Sequence, residues 1–312
     1  MHHDDLMHSI GETPLVELKH CSPREDLRFF AKLEGFNPTG SVKDRIAREM
    51  VLREEREGRL KPGDTIVVAS TGNTGISLSM VGRARGYTVR VVMPRNVYPE
   101  IARTLRAYHA EIEWVEADQG VRKAILVAEA LAKANGWLCL DQFASPYNVD
   151  AHHDTTGPEI VRDLDRVDAF VAGLGTGGTL MGVGRRLKEA NPRAMVVAVE
   201  PHPGYQVQGL KSLADGFVPP ILDFGMLDSK ILVRSRHAFR AASELMRREA
   251  IFGGISSGAV LHAALKVAHR IERGNVVLLF ADSGWKYLAT KLWTEEPPGA
   301  EDDEDLDDTI WW

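Results

Sequence analysis

Short β-branched runs alternate with segments of helical period along nearly the whole chain, and few architectures accept that alternation. A strand that is followed by a helix and then another strand returns in the same direction, so the pattern specifies an α/β fold with parallel sheets and crossover helices. Strands are expected at 28–33, 65–69, 88–93, 111–116, 137–141, 169–174, 194–199 and 275–281. Helices are expected at 41–57, 74–85, 100–108, 120–135, 156–163, 179–191, 237–249 and 257–271. Eight strands exceed one small doubly wound sheet, and Pro146 opens a polar stretch midway. The reading is therefore two doubly wound domains, 1–145 and 146–290, with the first strands able to pack on the second, followed by an acidic tail, 291–312.

The 312 residues, 44% hydrophobic and 26% charged, suffice for a sizeable core. Nine acids between Glu295 and Asp308 stand in a base-free stretch, and removing them from the formal charge of -6 leaves +3 on the body. A slightly basic body with an acidic tail argues against nucleic acid as partner and suits a small anionic substrate. Cys21 and Cys139 are far apart and form no CxxC, so neither a disulfide framework nor a thiolate metal site is expected, and a reducing cytoplasm is. His152 and His153 beside Asp154 are read as loop residues that solvate or bond locally, with no metal. The acids at Asp4 and Asp5 stand where a secretory signal needs bases, and no apolar run approaches the ~18 residues of a membrane span.

Ligands in such folds gather where strand ends meet helix N-termini, and three glycine- or hydroxyl-rich segments occupy such positions. Gly173-Leu-Gly-Thr-Gly-Gly-Thr179 lets the backbone approach a ligand, and it also reads formally as GxGxxG with Glu200 placed to bind a ribose. Alone it leaves open a dinucleotide, a single phosphate or a tight turn. Ser70-Thr-Gly-Asn-Thr-Gly75 is either a carboxylate nest or an N-cap with turn glycines. Gly253-Gly-Ile-Ser-Ser-Gly258 is the third. In Asn37-Pro-Thr-Gly-Ser-Val-Lys43, a turn breaks into a helix and leaves Lys43 in its first turn. There the helix dipole opposes the cation and favours the free amine that covalent catalysis needs.

Together and in this order, these segments resemble the cysteine synthase family, the β-replacement branch of fold type II pyridoxal-phosphate enzymes. The resemblance runs from Ile10-Gly-Glu-Thr-Pro-Leu15 through Thr155-Thr-Gly-Pro-Glu159 to Asp282-Ser-Gly-Trp-Lys-Tyr287. It implies a homodimer with pyridoxal 5'-phosphate in the cleft between the two domains, Lys43 attached to it covalently and acting as general base. It implies that Gly175, Thr176, Gly177, Gly178 and Thr179 cradle the cofactor phosphate, and that Asn73 faces the 3′-oxygen. Ser70, Thr71, Gly72, Thr74 and Gln142 would hold the substrate carboxylate, and Ser256 would meet the pyridine nitrogen. A neutral hydroxyl there leaves the nitrogen largely unprotonated, and the weaker electron sink favours loss of a β-leaving group over transamination.

Within the family, Gly209-Leu-Lys-Ser-Leu-Ala-Asp-Gly-Phe-Val-Pro219 and Gly284-Trp-Lys-Tyr287 resemble the actinobacterial enzymes that use O-phosphoserine and a thiocarboxylated sulfur-carrier protein. Where that group has an arginine for the substrate phosphate, this chain has Lys211, which keeps the charge without the bidentate fork. O-acetylserine with free sulfide is the main alternative; cystathionine synthesis and, from another class, a dinucleotide-dependent oxidoreductase complete the set. The acidic run leading into Thr309-Ile-Trp-Trp312 reads by itself as a disordered solubilising tail, whereas in the resembled enzymes a C-terminal tail can fold over the cleft, so an active-site lid is the other expectation.

Overall fold

A computed structural model of the chain describes residues 2–116, 120–288, 290, 293 and 309–311. The strands are β1 (Leu15–Glu17), β2 (Leu27–Leu33), β3 (Thr65–Ala69), β4 (Thr88–Pro94), β5 (Glu111–Val115), β6 (Leu138–Cys139), β7 (Ala169–Gly173), β8 (Met195–Pro201), β9 (Ser229–Val233), β10 (Gly274–Phe280) and β11 (Thr309–Trp311). The helices are α1 (Lys43–Arg56), α2 (Asn73–Arg85), α3 (Pro99–Ala107), α4 (Gly120–Asn135), α5 (Pro146–Ala151), α6 (Gly157–Asp163), α7 (Gly178–Ala190), α8 (Ser235–Glu249) and α9 (Ile255–Val267). A π-turn, His152–Thr156, joins α5 to α6.

The contacts group into two units: Met1–Gly11 with Asn37–Ala151, and Glu12–Phe36 with His152–Trp312. The first two strands thus belong to the second unit, and the chain returns to that unit at His152 rather than at residue 146.

The first unit is built on a four-stranded parallel sheet of order β5-β4-β3-β6. Its central strand is covered on both faces, which is why its sequence is a continuous apolar run rather than an alternation. Ile66 and Val68 pack with Met50, Val51, Leu78 and Val81, while Val67 and Ala69 pack on the other face with Ala124, Ala128 and Ala132 of α4. Local signals set the helix ends. α3 starts with Pro99 in its first turn, and α2 stops at Gly86, whose φ of 82° suits the left-handed cap.

The second unit carries a seven-stranded sheet of order β1-β2-β10-β7-β8-β9-β11, parallel except at its two edges. β7 and β10 are adjacent, so the loops leaving their carboxyl ends are neighbours. β11 pairs antiparallel with β9, Thr309 opposite Ile231 and Trp311 opposite Ser229. The acidic run itself, 294–308, lies outside the described residues. Where a lid is expected, the described end of the tail is an edge strand, because the outer side of β9 offers backbone donors and acceptors that a short extended segment satisfies.

One buried ion pair pins the β1–β2 edge. Lys32 on β2 is wholly buried, its ammonium lying 2.7 Å from Glu159 Oε2 and donating to the Thr13 carbonyl at 2.6 Å. Glu159 also accepts from the Glu12 backbone N–H, and Thr13 donates to buried Glu34. Removing one partner of such a pair strands the other in low dielectric. Lys32→Met is therefore expected to lower unfolding stability by about 3–5 kcal/mol in urea titration, with Glu159→Gln on top of it recovering part of the loss.

Candidate active site

In the first unit, Lys43 is the first residue of α1 and is half-buried. The turn before it is tightly held. Gly40 takes φ 77° and donates to the Asn37 carbonyl at 2.7 Å. The buried Asp44 carboxylate accepts from Thr39 N at 2.7 Å, from Thr39 Oγ1 and from Ser77 Oγ, both at 2.5 Å, tying the turn to α2.

The loop after β3 leads into α2, which starts behind Gly72 with no side-chain cap. Ser70, Thr74 and Gln142 are brought together there. Ser70 Oγ accepts from the N–H groups of Gly72 and Gly75 at 3.2 and 2.9 Å. Thr74 donates to the Gln142 side-chain oxygen at 2.6 Å, and the Gln142 amide donates to the Ala69 carbonyl at 3.1 Å. That leaves Gln142 a second amide hydrogen with no partner among the described residues. Thr71 is exposed, and Gly72 and Asn73 are half-buried at the helix start. The nest and N-cap readings of Ser70–Gly75 thus coexist: Ser70 caps internally, while the helix start faces outward through Thr71, Gly72 and Asn73.

In the second unit, the loop after β7 bends into α7 at Gly177, whose φ of 91° is left-handed. α7 also lacks a side-chain cap, and the Gly178 N–H makes only a 3.4 Å contact with Thr176 Oγ1. Glycine is required at 175 for space: a Cβ there would stand 2.8 Å from the Gly209 carbonyl oxygen. An uncapped helix start wrapped by glycines and by the buried Thr176 and Thr179 fits a phosphate group. Ser256, 4% exposed, lies in the first turn of α9 behind Gly254, another start without a side-chain cap.

Lys211 stands beside the glycine-rich loop after β7, its N–H donating to the Leu174 carbonyl at 2.7 Å. Burial pushes its amine below the ordinary lysine range, and Asp215 partly opposes that shift. Glu200, the ribose acid of the dinucleotide reading, is committed elsewhere. It is buried, pairs with Lys230 at 2.6 Å and accepts from Leu213 N at 3.0 Å. Both thiols are pushed up to about 11 by burial, so neither is a ready thiolate at neutral pH.

His152 corrects the loop reading. It is wholly buried in the π-turn, and its ring nitrogens lie 3.0 Å from Thr156 Oγ1 and 3.1 Å from Thr179 Oγ1, so it braces the start of α7. The four-residue spacing from His152 to Thr156 was the available signal, but Thr179 comes from a distant helix. The neighbouring His153 is partly exposed and bridges Asp154 at 2.7 Å and Glu189 of α7 at 3.0 Å. The hydrogen bond to Asp154, with Glu189 adding to it, raises its pKa above the ordinary 6.5. A raised folded-state pKa gives stability that is complete below the unfolded pKa and fades as pH rises through the folded one. The melting-temperature advantage of the protein over His153→Gln is accordingly expected below the ordinary histidine value and lost as pH rises past the raised one, small because the acids are solvent-screened.

Residues 6–282 match the family described as pyridoxal-phosphate dependent enzyme. The chain is 41% identical over 304 residues to the cysteine synthase of Aquifex aeolicus, covering 94% of this chain and 93% of that one. It is 38% identical to cysteine synthase B of Salmonella typhimurium, covering 93% and 96%. Among solved structures, an O-ureido-L-serine synthase aligns with TM-score 0.89 at 38% identity, covering 96% and 98%. An Entamoeba histolytica cysteine synthase aligns with TM-score 0.88 at 33% identity, covering 96% and 93%. With a family match over most of its length and relatives near 40% identity, the chain belongs to the pyridoxal-phosphate dependent enzymes of fold type II.

Proposed function

We propose that this protein makes L-cysteine by replacing the β-substituent of an activated serine with sulfur, and that the serine is O-phosphoserine. One observation carries the reaction type. The residue in the first turn of α9 that would meet the pyridine nitrogen is Ser256, a neutral hydroxyl and not a carboxylate. Bound pyridoxal phosphate supplies the electron sink at the α-carbon, and a weakly protonated ring suits prompt expulsion of a β-leaving group. The similarity to cysteine synthases of 38–41% identity over nearly the whole chain supports the same reading.

The residues then divide the work. Gly175–Thr179 hold the cofactor phosphate through the start of α7, and Asn73 holds its 3′-oxygen. Ser70, Thr71, Gly72, Thr74 and Gln142 orient the substrate carboxylate, Thr74 and Gln142 being preset by their mutual hydrogen bond. The Lys43 amine would hold the cofactor, and it is the base suited to take and return the α-proton. Lys211 carries the choice of phosphoserine, since a half-buried cation beside the phosphate cradle has little other purpose than an anion. The sulfur comes from outside, as sulfide or from the thiocarboxylated C-terminus of a small carrier protein, since the two internal thiols are held protonated. We place the enzyme in the cytoplasm as a homodimer.

Borohydride reduction of the cofactor-loaded protein followed by peptide mapping should put the label on Lys43, and Lys43→Ala should lose the visible absorbance of the attached cofactor. A label on Lys211 or Lys286 would refute the assignment. A charge-assisted contact contributes roughly 1.5–3 kcal/mol, so Lys211→Ala should cut O-phosphoserine turnover by about one to two orders of magnitude while sparing O-acetylserine. Equal losses for the two substrates would make Lys211 structural and leave O-acetylserine the better reading.

A further inference from the structure

The carboxyl end of β10 carries an acid to which the chemistry above gives no role. Asp282 is 3% exposed and accepts a hydrogen bond from the Tyr287 hydroxyl at 2.6 Å. Its segment is laced to the residues that start α9. Gly254 N donates to the Asp282 carbonyl at 2.9 Å, Gly284 N donates to the Phe252 carbonyl at 2.9 Å, and Gly253 bridges Ser283. Phe252 packs edge-on against Trp285 at 5.0 Å. The two segments therefore form a small antiparallel clasp beside the N-terminus of α9.

The side chains close that clasp at Gly254, the N-cap of α9. A Cβ on Gly254 would stand 2.0 Å from Asp282 Oδ1 and 2.9 Å from Tyr287 Cε2, so the carboxyl group and the ring both press on its Cα. Gly254 has a φ of -68°, which any residue adopts, so its role is to make room for the pair. A carboxylate at this place also favours the positive end of the helix. Ser256 sits two residues further on, in the turn that the pair fixes.

We infer that Asp282 and Tyr287 are a positioning pair that sets the first turn of α9 and so aims Ser256 at the ring nitrogen of the cofactor. The inference rests on the reading of Ser256 given above. Neither residue touches the ring; each acts through Gly254 and the helix start.

The test uses the cofactor-loaded protein and its Tyr287→Phe, Asp282→Asn and Ser256→Ala variants. The readouts are the visible circular dichroism of bound pyridoxal phosphate, its dissociation constant, and the melting temperature of the cofactor-free protein. Tyr287→Phe keeps the ring and loses one hydrogen bond, so it should weaken cofactor binding roughly threefold to tenfold. It should also alter the cofactor's dichroism, over and above whatever the cofactor-free melting temperature loses to the carboxylate left without that donor. Asp282→Asn should shift the dichroism in the same sense. Ser256→Ala should reproduce the change, and adding Tyr287→Phe to it should cost little more, as residues acting in series do. Additive losses, or a lower melting temperature with unaltered cofactor dichroism, would reduce the pair to ordinary core structure. If Ser256→Ala itself leaves the dichroism unchanged, the assignment of Ser256 fails, and this inference with it. A dichroism change on Ser256→Ala that neither Asp282→Asn nor Tyr287→Phe shares would overturn the pairing alone.

Discussion

Three helices of this protein start behind a glycine that has no side chain with which to cap them: α2 behind Gly72, α7 behind Gly177 and α9 behind Gly254. A serine, threonine or aspartate at such a position ordinarily contributes about 1 kcal/mol by satisfying the first backbone N–H groups. At α7 the omission leaves oriented donors for an anion, whereas Ser70 takes up two of the donors at α2 and the Asp282 carboxylate stands at the start of α9. The glycines also bring the backbone close, as the 2.8 Å approach of a Cβ at Gly175 to the Gly209 carbonyl shows. On the reading proposed above, the loops of each unit are written largely in main chain, which leaves chemistry to an amine in the first unit and to a hydroxyl and a half-buried cation in the second.

This explains what the sequence makes legible. Strands buried on both faces read as continuous β-branched runs, so 65–69 is found to the residue and the other expected strands overlap the observed ones. β1 and β11 escape because three-residue antiparallel edges carry too little pattern to stand out. β9 escapes for a different reason: it opens with Ser229 and Lys230, and the lysine's charge is hidden by the buried Glu200 across the sheet. The glycine-rich loops are legible as helix starts because their turn chemistry is local. His152, Asp282 and Tyr287 are not, because each takes its meaning from a partner brought in by packing: Thr179 for the first, the backbone at Gly254 for the other two.

The unused acid of the dinucleotide reading illustrates the same limit. Gly173, Gly175 and Gly178 satisfy the spacing of a dinucleotide fingerprint, and Glu200 ends the next strand. Spacing alone cannot say whether an acid is available. With both its oxygens engaged, one by Lys230 and one by Leu213 N, Glu200 anchors the loop that follows Lys211 instead of a ribose. A dinucleotide pattern and a single-phosphate loop share their glycines, and it is the commitment of the acid that speaks against the first.

Lys43 raises an electrostatic problem that the fold answers nearby. The start of a helix disfavours a cation, yet α1 begins with one. Asp44 follows in the same turn and returns a negative charge to the helix start. Its oxygens are gathered by Thr39 N, Thr39 Oγ1 and Ser77 Oγ, so the carboxylate also fastens the preceding turn to α2. One buried acid thereby offsets the dipole and fixes the backbone that presents the amine. The backbone position of Lys43 is accordingly set by its neighbour's hydrogen bonds.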